Sequence, residues 1–288
     1  MASARVMQRV RTVSALRRAM APWRSQALRI GFVPTMGAIH DGHLSLVRRA
    51  RRTCDRVVAS LFVNPLQFGP TEDFARYPRP IHEDRGKFAG AGVDLLWEPA
   101  IAGIYPAGDR TRVHVSGLTD AFEGAARPGH FEGVTTVVLR LLNAVQPDEL
   151  WLGQKDAQQA MVIERMVADL LLPVRVRRGA TVRMRDGLAL SSRNAYLGAG
   201  ERAQAVALSL GLRAARAHLV AGERSAARIA AAVRGVWRRH PLVHEDYVAV
   251  VDAATMAPLR TVRGRVLVAV AARVGPARLI DNFEWSGR

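Results

Sequence analysis

Residues 34 to 43 read "PTMGAIHDGH", which places His40 and His43 three apart around Gly42, with Gly37 upstream. An apolar run precedes this stretch and a helical-looking one follows it. Such a junction can serve a metal, a phosphate or plain turn chemistry. A helical zinc pair is usually spaced i, i+4 within HExxH, with a third ligand elsewhere. Here the spacing is i, i+3 and the adjacent glutamate is missing, so no metal ligand is assigned. If a helix begins near Asp41, the N–H groups of its first turn face the junction and favour an anion. Glycines let a phosphate approach the backbone, and the two imidazoles supply ring N–H donors. Neither a Walker pattern nor GxGxxG follows the strand, so neither glycine cradle applies.

Three other segments carry compatible chemistry. "GQKDAQQ" (153 to 159) puts Lys155 at a helix start, "LSSRN" (190 to 194) brings two hydroxyls and an arginine into a loop, and "FVNPLQFGP" (62 to 70) holds Asn64 and Gln67 after a strand. Taken singly, the lysine reads as surface charge, the serines as loop chemistry and Gln67 as a loop cap. Together they gather donors and cations, with little negative charge, at strand ends. That composition suits binding a polyphosphate and stabilising charge in phosphoryl or nucleotidyl transfer. The chain has two lysines, Lys87 and Lys155, among 42 basic residues. An ammonium and a guanidinium are not interchangeable in a site, so both lysines draw notice.

The elements that must position these residues alternate. "LRIGFVPT", "RVVASLFVN", "GVDLLWEP", "ELWLG" and "VRVRR" read as strands. Helical patterns lie between them, including 81 to 91 and "AQQAMVIERMVADLL". Short apolar strands alternating with helices predict an α/β fold, a doubly wound parallel, Rossmann-like sheet. In such sheets ligands bind at the carboxyl ends of strands, near a topological switch point. After about residue 183 the pattern changes to alanine- and arginine-rich helices over 199 to 239. "DYVAVVDAATM", "RVLVAVAARV" and "ARLIDNFEW" then read as strands. The expected domains are 1–183, a Rossmann-like domain carrying the strand-end residues, and 184–288, a smaller C-terminal α+β domain covering the site. The segment "RMRDGLALSSRNAYLG" connects them.

The 288 residues have a net charge of +17 and 49% hydrophobic residues. No apolar run approaches the roughly 20 residues a bilayer span requires, so no membrane association is expected. One cysteine, Cys54, excludes an intramolecular disulfide, and a cytoplasmic location is expected. The positive charge is spread along the chain and aromatics are 6%, which argues against specific nucleic-acid binding. The first 40 residues lack acids, as mitochondrial presequences do. Val13, Leu16 and Met20 fall at helical spacing, however, and predict an ordinary surface helix, with disorder confined to the first few residues.

At this point the chain resembles the pantoate–β-alanine ligase (pantothenate synthetase) family, within the HxGH nucleotidylyltransferase-like superfamily. "PTMGAIHDGHLSLVRRA", "SLFVNPLQFGPTEDFARYPR", "EGAARPGHFEGVTTVV", "GQKDAQQ", "DGLALSSRN" and "VAARVGPARLIDN" match its signatures in order, from about residue 11 to 283. The resemblance implies ATP-dependent condensation of (R)-pantoate with β-alanine to pantothenate. A pantoyl-adenylate intermediate forms, and AMP and pyrophosphate are released. It implies ATP contacts from Met36, Gly37, Ala38, Ile39, His40, Asp41, Gly42 and His43, with His43 in a proton-donor position. It implies further ATP contacts from Gly153, Gln154, Lys155 and Asp156, from Val182 and Leu190, and from the mobile loop Ser191, Ser192 and Arg193. Gln67 and Gln159 match the pair that binds pantoate. Catalytic roles fall on His40, His43, Lys155, Ser191, Ser192 and Arg193. Mg2+ is implied to be held mainly through ATP phosphates, and the family is generally a homodimer.

The chain departs from the family at Ala157, usually an aromatic, and at Ala160, usually leucine. Two other readings remain open on the residues themselves. A nucleotidylyltransferase that keeps the nucleotide on its product would share the histidines without needing Gln67 and Gln159. A basic nucleic-acid-binding protein on a degenerate scaffold would bind polyanions without turning over ATP.

Overall fold

The computed structural model describes residues 6–70 and 72–287 of the 288-residue chain. The disorder expected at the extreme N terminus concerns residues that lie partly outside this range. In chain order the elements are β1 (Gln8–Val10), α1 (Val13–Ser25), β2 (Ile30–Thr35), α2 (Asp41–Thr53), β3 (Arg56–Leu61), α3 (Ile81–Ala91), β4 (Leu95–Trp97) and α4 (Ile101–Ile104). They continue with α5 (Glu123–Ala126), α6 (His130–Val145), β5 (Glu149–Gly153), α7 (Ala157–Asp169) and β6 (Arg175–Gly179). The last are α8 (Ala199–Ala205), α9 (Ala207–Val220), α10 (Ala226–Trp237), β7 (Val243–Asp252), β8 (Val266–Val274) and β9 (Ala277–Trp285). Short 3-10 turns occupy Pro65–Gln67, Gln154–Asp156 and Ser192–Tyr196.

Two compact units result. One runs to Gly153 and resumes over Gln159–Ala180; the other combines Gln154–Gln158 with the chain from Thr181 onward. The first unit holds a six-stranded sheet in the order β1-β4-β3-β2-β5-β6, with every neighbouring pair parallel. Side chains alternate between its faces. Ile30, Phe32, Val58, Leu95, Trp97, Leu150 and Leu152 join one core cluster, with Leu16 and Met20 of α1 and residues of α6 and α7. Val33, Val57, Ala59, Leu96 and Trp151 join the other, with α2 and Phe88 of α3. A strand's period of two therefore feeds both layers, which is why the four central strands β2 to β5 read as largely apolar runs. Each fully buried large side chain contributes about 1.5–3 kcal/mol of transfer free energy.

From β2 the chain steps through β3 to β4 in one direction and later places β5 and β6 on the other side. The switch point lies between β2 and β5. The loop after β2 and Gly153 at the end of β5 both emerge there. The carboxylate of Glu149, fully buried at the opposite edge, accepts hydrogen bonds from Arg29, Thr53, Trp151 and Arg177. It fastens the amino ends of the strands on either side of the switch.

The second unit is an antiparallel β7-β8-β9 sheet whose apolar face, Val250, Val266, Val268, Val270 and Leu279, packs with Leu208, Leu212, Ile229 and Val233 of α9 and α10. The sequence reading differs in two places. It missed β1, a three-residue edge strand beside β4 whose pattern is too short to register. It also placed the first strand of the second sheet at 246 to 256, whereas β7 begins at Val243 and ends at Asp252, where the chain turns. The helix expected near Val13, Leu16 and Met20 is α1, with Leu16 and Met20 buried.

Candidate active site

The α2 helix starts at Asp41, and His40 is its N-cap. The His40 Nδ1 accepts the Gly42 N–H at 3.1 Å. The His43 Nδ1 accepts the His40 N–H at 3.4 Å, closing a reciprocal capping box. The rings stack, with centroids 4.1 Å apart. A neutral imidazole that accepts at Nδ1 carries its proton on Nε2. Both rings thus satisfy the helix end with one nitrogen and turn the other into a donor. The sequence reading assigned ring N–H donors without knowing which nitrogen supplies them; the cap fixes it as Nε2.

Gly42 has a more immediate reason than phosphate access. A Cβ there would lie 2.7 Å from His40 Cε1 and 2.8 Å from its Nδ1, so any other residue would expel the capping ring. Upstream, Gly37 and Ala38 adopt left-handed φ of 94° and 51°. For alanine that conformation costs about 1–2 kcal/mol, and the surroundings must hold it. Asp84 of α3 does so, accepting the Ala38 and Ile39 N–H groups at 2.9 and 2.7 Å.

Gln67 lies in the 3-10 turn after β3 and is buried. Its Nε2 donates to Met36 Sδ at 2.9 Å, and its Oε1 accepts from Asn64 Nδ2 at 3.2 Å. Asn64 also donates to the Gly133 carbonyl and accepts from Tyr105 OH at 2.7 Å. Burial pushes the Tyr105 phenol up to about 12, so it stays a neutral donor. Gly133 lets α6 close on this turn: a Cβ there would stand 2.3 Å from the Leu66 carbonyl oxygen.

The Gln67 carbonyl is gripped as well. His130 Nδ1 lies 2.9 Å from it and Arg127 donates to it at 3.1 Å. Arg127 Nη1 lies 3.0 Å from His130 Nε2 and pairs with Glu72 through two bonds. A guanidinium can only donate, so His130 accepts at Nε2 and donates from Nδ1. Burial, with the Arg127 charge beside it, pulls His130 down to about 4 and keeps it neutral.

In the second unit, Asn282 of β9 donates from Nδ2 to the Gln154 and Lys155 carbonyls at 3.0 and 2.8 Å. Gln154 Nε2 returns a bond to Asn282 Oδ1 at 3.3 Å. The turn that carries Lys155 is thereby bound to the sheet of that unit. The Lys155 ammonium lies 3.5 Å from the Asp156 carboxylate. Val182 and Leu190 face each other across a tight hairpin, with the Leu190 N–H on the Val182 carbonyl. Arg183 in the same hairpin pairs at 2.5 and 2.8 Å with the buried carboxylate of Asp281, which raises the guanidinium's affinity for its proton. Ser191 caps the turn holding Ser192 and Arg193, its Oγ accepting the Arg193 N–H.

Among the residues singled out from sequence, Met36 through His43 form one continuous strand end, loop and helix start, and Met36 touches Gln67. Gly153 ends β5, beside β2 in the sheet. Gln159 is half-buried on the first turn of α7. Ala157 and Ala160 are both buried, so the departures fall on core positions, and Ala160 packs in the main cluster. Asp84, His130 and Asn282 received no role from sequence. The available hint was positional for Asp84, which shares the buried face of α3 with Phe88 four residues on.

The profile of the pantoate-beta-alanine ligase family matches residues 8–284. The chain is 52% identical over 276 residues to the pantothenate synthetase of Moorella thermoacetica, covering 96% of this chain and 98% of that one. It superposes on the crystal structure of pantothenate synthetase from Thermus thermophilus with a TM-score of 0.92 at 49% identity, covering 96% and 99% of the two chains. The pantoate-beta-alanine ligase of Francisella tularensis, solved with beta-gamma ATP and beta-alanine, matches at a TM-score of 0.79 and 31% identity over 96% of this chain and 97% of that one. With its parallel sheet, its histidine-capped helix at the switch point and these matches over nearly its whole length, the chain belongs to the pantoate–β-alanine ligase family.

Proposed function

We propose that the chain condenses (R)-pantoate with β-alanine at the expense of ATP, with the residue roles the family implies. The pantoate carboxylate oxygen attacks the α-phosphorus, the bond to the β-phosphate breaks, and pyrophosphate leaves with the electron pair. The β-alanine nitrogen then attacks the acyl carbon of pantoyl adenylate. The acyl–oxygen bond breaks, AMP departs with that pair, and the nitrogen sheds a proton. The observation that carries this reading is the pair of imidazoles at the start of α2, each accepting a backbone N–H at Nδ1 and so carrying its proton on Nε2. Two such donors beside a helix N terminus suit the charge that develops on the phosphates in the first step.

In this reading His40 and His43 stabilise that charge, and Lys155, Ser191, Ser192 and Arg193 act on the same nucleotide. Gln67, its amide oriented by Asn64 and Met36, binds pantoate together with Gln159. ATP enters as its Mg2+ complex, with the metal carried by the phosphates. A homodimer working in the cytoplasm completes the proposal, and light scattering on the purified protein tests the dimer.

The deciding experiment measures AMP and pyrophosphate from ATP, Mg2+ and D-pantoate, with and without β-alanine. AMP release that requires both acceptors supports the ligase. Pyrophosphate release with a stable nucleotide-bearing end product, indifferent to β-alanine, would overturn it.

A further inference from the structure

Lys87, the lysine that the proposed reaction leaves without a part, lies on α3 one turn after Asp84. Its Nζ donates to the Ile39 carbonyl at 2.8 Å. Asp84 Oδ1 accepts the Ile39 N–H at 2.7 Å, and Oδ2 accepts the Ala38 N–H at 2.9 Å. Both polar backbone groups of Ile39, the residue before the His40 cap, are therefore held from a single helix. Asp84 is 1% exposed, while the Lys87 head group reaches solvent with Glu83 3.7 Å away. The gripped segment is the one with left-handed φ at Gly37 and Ala38. A Cβ on Gly37 would also meet Asp84 Oδ2 at 3.1 Å, so the carboxylate lies against this turn.

We infer that Asp84 and Lys87 are positioning residues for the adenylation step: a two-point clamp that holds the strained Gly37–Ile39 backbone so that His40 caps α2 and both imidazoles keep Nδ1 accepting and Nε2 donating. The inference rests on the reading that His40 and His43 act on ATP phosphates.

The chemistry of the clamp explains the residue types. Two converging N–H groups call for an acceptor-only carboxylate. An asparagine would satisfy one and set its own NH2 against the other. Burial pushes the Asp84 carboxyl above the usual range while the two N–H groups pull it back down. A buried carboxylate held against its desolvation cost is an expensive way to fasten a surface loop, but a precise way to fix backbone. The single carbonyl of Ile39 offers a point acceptor to a compact ammonium, which accounts for a lysine in a chain that otherwise uses arginine almost throughout.

The test uses Asp84→Asn and Lys87→Met in the full chain, with His40→Ala as the control for the underlying reading. Turnover is followed as pantoate-dependent pyrophosphate release, and ring tautomers by long-range proton–nitrogen correlation spectra of histidine-labelled protein. The clamp predicts kcat down about 10- to 100-fold in either variant, with KM for pantoate within about twofold of wild type. It also predicts that the His40 and His43 signals leave the single Nε2–H pattern. Unchanged ring signals in Asp84→Asn and Lys87→Met overturn the clamp, whatever the turnover. Full adenylation by His40→Ala would sink the reading of the histidines, while the spectra still decide the clamp. Should Asp84→Asn fail to fold, Lys87→Met, altered at a solvent-facing head group, decides it alone.

Discussion

Replacing Gly42 with alanine adds one methyl group at a crowded point of the site. The added carbon would stand 2.7 Å from His40 Cε1 and 2.8 Å from Nδ1. Carbon contacts become favourable only near about 3.5 Å, so the ring must retreat by roughly 0.8 Å or rotate away. Either movement stretches the 3.1 Å bond from the Gly42 N–H to Nδ1. Loss of an N-cap costs about 1 kcal/mol of stability. The functional cost is larger, because an Nδ1 freed from its donor no longer fixes the proton on Nε2. A misplacement of about 1 Å at a charge-stabilising group reduces a rate by about 100-fold. Urea denaturation and pyrophosphate release should therefore diverge, with stability falling by about 1 kcal/mol and adenylation by about 100-fold. Turnover within about twofold of wild type would refute the account of the cap.

Gly153→Ala provides the converse case. Beyond its chain neighbours, a Cβ there meets no atom of the described residues within 4 Å, so stability should hold while KM for ATP rises, if the nucleotide approaches the end of β5; an unchanged KM in titrations with ATP removes Gly153 from the site. His130 is neutral in the folded protein down to about 4 but titrates near 6.5 when unfolded. The unfolded chain binds the extra proton between those values, so stability is fully present above pH 6.5 and falls as pH drops toward 4, by about 3 kcal/mol from this group. His130→Gln should flatten that decline in denaturation curves at pH 4.5 and 7, and parallel curves for the two proteins would contradict it. Asn282→Ala should free the Gln154–Lys155 turn and cut adenylation, though less than Lys155→Ala does, with folding intact by circular dichroism; full adenylate formation in Lys155→Ala would remove the lysine from the mechanism.

The layered first unit was legible because its four central strands, β2 to β5, are buried on both faces. Such strands must be apolar throughout, and the helices between them must carry a buried stripe. The edge strand β1 escaped notice, being three residues long with a single buried side chain. The histidine junction was legible for a similar reason. A helix start has open N–H groups, and residues that can cap it stand beside it in sequence. What the sequence could not give was the division of labour within each ring, since that depends on the 3.1 and 3.4 Å contacts made once the helix exists.

The supports of the site were illegible for a more specific reason. Asp84 reaches the Ala38 and Ile39 N–H groups, His130 and Arg127 reach the Gln67 carbonyl, and Asn282 reaches the Gln154 and Lys155 carbonyls. Every one of these contacts is made to backbone atoms, across sequence separations from 45 to 128 residues. Backbone groups are the same in all residues other than proline, so nothing in the type of a gripped residue records that it is gripped. A sequence can display the side chains that meet a substrate, because their chemistry restricts their identity. It displays the supporting side chains only as isolated polar residues at positions that packing would otherwise fill with apolar ones. Asp84, His130 and Asn282 are all of that kind: each is less than a tenth exposed, and each directs at least one polar atom at the main chain of a segment that carries a proposed site residue.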